Sequence, residues 1–75
     1  MYRKTIRLET MADEYALPLS TRSINFLFEY GILTADALAK ADLAVIENIR
    51  GVGRQTITEL QESQQILRRK LHTPQ

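Results

Sequence analysis

The chain has no cysteine, no tryptophan, one histidine, two prolines and three glycines in 75 residues. Without cysteine there is no disulfide and no thiolate metal site, which fits a reducing compartment. His72 stands alone in a polar tail and offers neither a metal constellation nor a catalytic pair. There is no Ser-His-Asp group, no paired carboxylate site and no phosphate-binding loop, so neither an enzyme nor a cofactor is expected. No apolar run approaches membrane-spanning length, and the N-terminus lacks the apolar core of a signal peptide. The expectation is a cytoplasmic protein without a membrane partner. Charge of one sign is scarce too: 10 Lys and Arg face 9 Asp and Glu, a net charge of +1. That balance argues against tight, purely salt-driven binding to a polyanion.

The cations are nevertheless grouped. Arg3, Lys4 and Arg7 lie near the start, and Arg68, Arg69 and Lys70 near the end, with Asp13 and Glu14 following the first group. The length allows one small domain, close to the lower limit for an unaided core. Residues 1–16 read as a flexible arm in which Tyr2, Ile6 and Leu8 partly alternate with Arg3, Thr5 and Arg7, a hint of extended structure. Residues 17–71 read as one all-α domain, a compact unit of four to five helices, and residues 72–75 as a tail. Pro18 blocks any helix entering from the left.

The local signals place four helices in that domain. Ser20 is an N-cap for a helix over 21–30, Leu19 and Ile24 occupy the positions of a hydrophobic staple, and Gly31 is the stop. Thr34 caps a second helix over 35–40, and Asp42 a third over 43–49. A fourth starts at Arg54 and, with no Gly or Pro before Pro74, runs to Leu71. The expected core comprises Ile24, Leu27, Phe28, Leu38, Ile46, Val52, Ile57 and Leu60.

The stretch Ile46-Glu47-Asn48-Ile49-Arg50-Gly51-Val52-Gly53-Arg54-Gln55-Thr56-Ile57 joins the third and fourth helices. Two glycines around one apolar residue permit a tight turn with Val52 pointing inward. The N–H groups from Gly53 onward begin a helix and lack intrahelical partners, which favours an anion. This is the layout of a helix-hairpin-helix, which grips a nucleic-acid phosphate without reading bases. The alternative is a tight helical corner that binds nothing.

These residues resemble a known family, the C-terminal domain of the bacterial RNA polymerase alpha subunit. Leu19-Ser20-Thr21-Arg22-Ser23-Ile24-Asn25-Phe26-Leu27 is similar to its first helix, Gly31-Ile32-Leu33-Thr34 to the turn that follows, and Gly51-Val52-Gly53-Arg54-Gln55-Thr56-Ile57-Thr58-Glu59-Leu60 to its hairpin and last helix. The resemblance spans about 17–60. It implies a helical unit that contacts the A·T-rich minor groove of promoter DNA and docks on transcription activators and sigma factor. By that likeness Arg22 enters the groove, and Asn25, Gly53, Thr56 and Glu59 lie at or behind the DNA surface. Narrow A·T-rich grooves concentrate negative potential and favour an inserted Arg. Gly51 and Arg54, in the hairpin, join the candidate DNA-binding set.

Two positions depart from the family pattern: Gly51 replaces its usual Asn, and Gln55 its usual Lys. One sugar or base-edge contact and one phosphate contact are thereby lost, the latter worth about one unit of salt exponent. Arg54 or Arg50 could supply part of the missing charge. Ala16 and Pro18 stand where sigma-facing acidic residues are expected. Starting at Met1 with no assembly domain, the chain is expected to be a stand-alone relative, such as a small accessory, mobile-element or phage regulator. The resulting expectation is weak binding of double-stranded, A·T-rich DNA, nucleoid association, and contact with RNA polymerase or transcription factors. The rival is a protein–protein module that imitates the polymerase domain to capture an activator, sigma factor or polymerase; a generic helix-hairpin-helix subunit of a repair or replication assembly is disfavoured by the Arg22–Asn25 pair.

Three further features carry alternatives. Phe26 falls about 40° from Arg22 on the helical wheel. It shields Arg22, wedges at the groove edge, meets a partner, or packs under the arm. Ile57, Leu60, Gln64, Leu67 and Leu71 form one stripe; Leu67 and Leu71 either pair two protomers as a homodimer, with Gln64 fixing the geometry, or pack on the arm or fray. The Arg68–Lys70 cluster is read as complementing the helix dipole in preference to a phosphate footprint.

Overall fold

Three helix starts in this protein are capped by short polar side chains, and two helices stop at left-handed residues. The computed structural model describes residues 4–71; Tyr2, Arg3, His72 and the rest of the 72–75 tail lie outside the described residues. Five helices follow one another: α1 (Ile6–Tyr15), α2 (Thr21–Tyr30), α3 (Ala35–Lys40), α4 (Leu43–Ile46) and α5 (Arg54–Leu71). No strand occurs among the described residues. Ser20 Oγ accepts the Ser23 N–H at 3.3 Å, Thr34 Oγ1 the Ala37 N–H at 3.1 Å, and Asp42 Oδ1 the Ala44 N–H at 3.1 Å. Each removes an orphan donor from a helix start. Gly31, at φ 94°, ends α2, and the Ile32 N–H turns back to Leu27 O at 2.9 Å. This is the closure expected of a left-handed stop.

Within the segment read as an arm, Ile6–Tyr15 is helical. Leu8, Met11, Ala12 and Tyr15 recur at three- and four-residue spacing, and the first three are buried. That stripe packs into the common core with Ile24, Leu27, Ile32, Leu38, Ala39, Ile46, Leu60 and Leu67. The alternation at residues 2–8 is the weaker pattern; burial of the helical stripe overrides it. Ala16 closes α1 at φ 56°, a conformation that costs an alanine about 1 kcal/mol.

α4 is shorter than the expected 43–49. After Ile46 the backbone tightens into bonds three residues apart, Asn48 N–H to Val45 O at 3.2 Å and Ile49 N–H to Ile46 O at 3.0 Å. Asn48 Nδ2 also donates to Ala44 O at 3.0 Å. Of the expected core, Ile24, Leu27, Leu38, Ile46 and Leu60 are buried, while Phe28, Val52 and Ile57 are half-buried against it. Val52 is therefore a rim residue of the hairpin, not a sealed plug.

α5 carries the fold. Its 18 residues span about 27 Å. Gln64, buried, donates from Nε2 to Leu38 O at 3.0 Å and to Ala41 O at 2.6 Å, closing the end of α3. Arg68 Nε reaches Ala39 O at 3.4 Å, and Lys70 Nζ reaches Tyr15 O, the last carbonyl of α1, at 3.2 Å. Cations and amides at helix C-termini satisfy carbonyls left open by the helix. Gln64 and Leu67 thus act within one protomer. Leu67, at 0% exposure, is core and not a seam between two copies, whereas Leu71 is 42% exposed.

Candidate nucleic-acid interface

The start of α2 is tied to α5 through one carboxylate. Glu59 Oε1 accepts the Ser20 N–H at 2.9 Å and the Ser23 hydroxyl at 2.5 Å, and its Oε2 accepts Gln55 Nε2 at 3.0 Å. A capping box normally satisfies the cap N–H from three residues on. Here that position is Ser23, and the carboxylate comes from another helix. Partial burial alone would raise the Glu59 pKa; the bonds from Ser23, the Ser20 N–H and Gln55 outweigh it and bring it from 4.5 to about 2. The group is an anion at neutral pH, set where the α2 dipole favours one. It fixes Arg22, exposed in the first turn of α2, beside the start of α5.

A cleft of about 300 Å³ separates the two helix starts, lined by Ser20, Thr21, Arg22, Gln55 and Thr56. On the other flank of α5, Glu47, Val52, Gly53, Arg54 and Ile57 line a hollow of about 260 Å³. The hairpin between α4 and α5 turns on Gly51, at φ 94°. Gly53 has no such requirement, and a Cβ added there meets no atom within 4 Å. Neither backbone conformation nor packing within the free protein requires glycine at 53. The Ile57 N–H bonds to Gly53 O, at 3.2 Å, and no backbone acceptor serves the N–H groups of Arg54, Gln55 and Thr56 among the described residues. Arg50 and Arg54 are exposed around this open end.

Among the residues singled out in the sequence, Arg22, Asn25, Gly51, Gly53 and Arg54 are exposed, Arg22 on the cleft and Gly53 and Arg54 on the hollow. Thr56, at 4% exposure, lies on the cleft floor rather than on the surface. Glu59 is half-buried and braces the two helices. Phe26 is half-buried and stacks on Tyr30, centroids 5.4 Å apart and planes 21° apart, in place of lying under Arg22. Among the described residues, Lys4 lies over an aromatic ring, 5.4 Å from the Phe28 centroid. Ser23 and Gln55, which complete the Glu59 cluster, carried no signal of that role in the sequence, because their partner is reached only after folding. Among the described residues no cluster of His, Cys, Asp or Glu is placed to hold a metal ion. No helix there is long and apolar enough to cross a membrane.

An all-helical domain with a glycine hairpin ahead of its last helix defines the helix-hairpin-helix class. The family described as the C-terminal domain of the bacterial RNA polymerase alpha subunit matches residues 9–65, and this protein belongs to that family. The match begins inside α1 and ends inside α5, wider than the resemblance read at 17–60. No curated protein and no solved structure gives a significant match.

Proposed function

We propose that this protein is a small, non-enzymatic, transcription-associated DNA-binding module that contacts the A·T-rich minor groove and the flanking backbone. One observation carries the reading: Glu59 joins the starts of α2 and α5, so that exposed Arg22 stands beside N–H groups with no backbone acceptor. Arg22 enters the groove, where a narrow A·T-rich stretch concentrates negative potential. Asn25 follows it on the same helix. The Gly53 and Arg54 N–H groups take a phosphate, with the Arg54 guanidinium as the added cation. The bare Cα of Gly53 lets the DNA backbone approach closely. Few cations and the loss of a lysine at position 55 make the affinity low and the salt slope shallow. Cytoplasmic, nucleoid-associated activity alongside RNA polymerase fits the family.

The test is a residue-resolved NMR titration with A·T-rich and G·C-rich duplexes at low salt, on the wild-type protein and Arg22→Ala. The reading expects shifts at Arg22, Asn25, Gly51, Gly53, Arg54 and Thr56, and loss of most binding in the folded variant. Absence of shifts with every duplex refutes it. A second reading, a protein–protein module of the same fold, is favoured by a partly exposed aromatic pair: Tyr30 is 45% exposed and stacked on half-buried Phe26 along the helix that carries Arg22. Shifts confined to Phe26, Glu29 and Tyr30 on adding polymerase subunits or activators support that alternative.

A further inference from the structure

Two exposed charges on α1 stand at the wrong ends for its dipole. Arg7 lies in the first turn and Glu14 in the last, whereas a helix N-terminus favours an anion and a C-terminus a cation. Neither has a hydrogen-bond or ion-pair partner among the described residues. Seven residues apart, they share one face of the helix about 10 Å from each other, with Thr10 and Met11 between them. Together with Leu33, 39% exposed on the turn after α2, these four residues line an open hollow of about 470 Å³. Arg7 lies ahead of the family match at residues 9–65, so the match does not account for the pattern.

The face is complementary to itself. When two copies of α1 lie antiparallel about a two-fold axis between Thr10 and Met11, Arg7 of each meets Glu14 of the other, and Thr10 meets Met11. Each charge then also sits by the end of the other helix that favours it: Glu14 at the α1 N-terminus of the second copy, and Arg7 at its C-terminus. A parallel pairing would set Arg7 on Arg7 and Glu14 on Glu14, which is repulsive at both contacts. We infer that this face of α1, with Leu33, is a docking surface for a second copy of the chain in an isologous dimer. The charges set the register, and the hollow closed over Met11 and Leu33 supplies the attraction. One helix and one turn make a small interface, so the dimer is weak and reversible. No residue of this face lines the Arg22 cleft or the hairpin hollow, and the inference stands apart from the DNA-binding reading.

The test is sedimentation equilibrium of the full chain at low salt, up to millimolar concentration. Wild type should dimerise with a dissociation constant on the order of 0.01–1 mM. Arg7→Glu and Glu14→Arg each set like charges against each other and should weaken pairing at least about fivefold. The double variant, and an equimolar mixture of the two single variants, restore opposite charges at both contacts and should return to within about threefold of wild type. Both changes place charges where the helix dipole favours them, so α1 keeps its fold and dilute variants should melt no lower than wild type. A wild type that stays monomeric at millimolar concentration overturns the inference. So does a dimer indifferent to the charge reversals, or one that neither the double variant nor the mixture restores. Arg22→Ala should dimerise as wild type does, so loss of duplex binding leaves this inference standing, and absence of the dimer leaves the DNA reading.

Discussion

The two ends of α5 are built in opposite ways. At its C-terminal half, polar groups turn inward: Gln64 and Arg68 close the carbonyls of α3, and Lys70 the last carbonyl of α1. At its N-terminal end, Gly53 offers no capping side chain, the first N–H groups meet no backbone acceptor, and Arg50 and Arg54 stand exposed. One end of the helix thus satisfies the globule, and the other is open to a partner. Basic residues alone would not tell these ends apart. The Arg68–Lys70 cluster is the denser in sequence, yet two of its three cations are bonded to helix-end carbonyls. The sparser cations, next to N–H groups without a backbone acceptor, mark the proposed interface.

The comparison can be broken first at the closed end. Gln64→Ala strips two helix-end carbonyls, one buried and one partly buried, of their donor and should destabilise by about 1–3 kcal/mol in denaturant unfolding. A loss under about 0.5 kcal/mol would mean that water closes α3 equally well. At the open end, Glu59→Gln should cost about 1–3 kcal/mol at neutral pH, since it weakens charge-assisted bonds to α2. The pH dependence gives this cost a signature. The folded-state pKa of about 2 lies below the ordinary 4.5, so Glu59 contributes stability that is fully present above about 4.5. That contribution is lost as the pH falls through about 2. Urea midpoints between those values should drop less in Glu59→Gln than in wild type.

Two smaller effects sharpen the contrast. Ala16→Gly relieves a left-handed alanine next to the α1 carbonyl that Lys70 closes, and should raise stability by about 0.5–1 kcal/mol. Thermal melting is the check; an unchanged midpoint would show that the turn relaxes without strain. Gly53→Ala should change stability least, by under about 1 kcal/mol, because no left-handed φ and no neighbouring atom opposes a methyl group. The same change should weaken duplex binding at least threefold if DNA approaches the backbone there. Equal affinity in the two proteins would detach Gly53 from the interface.

Much of the fold is legible locally. Ser20, Thr34, Asp42 and Gly31 mark helix ends through groups two to four residues away, and they place α2, α3 and the start of α4 correctly. α5 runs between its expected bounds for the same reason, with glycine before it and no breaker within. α1 is harder to see, because its stripe of Leu8, Met11 and Ala12 makes sense only against a core supplied by distant residues. Gln64 looks like a polar break in an apolar seam until the carbonyls of Leu38 and Ala41 are folded beside it. The candidate site divides in the same way. Arg22, Asn25 and the glycines are legible from the family pattern. The Glu59 brace is not, since Ser20 and Ser23 lie 39 and 36 residues from it in sequence.

The most direct test of the central claim compares the two ends of α5 in one spectrum. An A·T-rich duplex is titrated into the isotope-labelled protein at low salt, and amide shifts are followed along α5. The account predicts shifts from Gly51 to Thr56, together with Arg22 and Asn25, and none from Gln64 to Leu71. Shifts concentrated at Arg68, Arg69 and Lys70, with the hairpin silent, would contradict it.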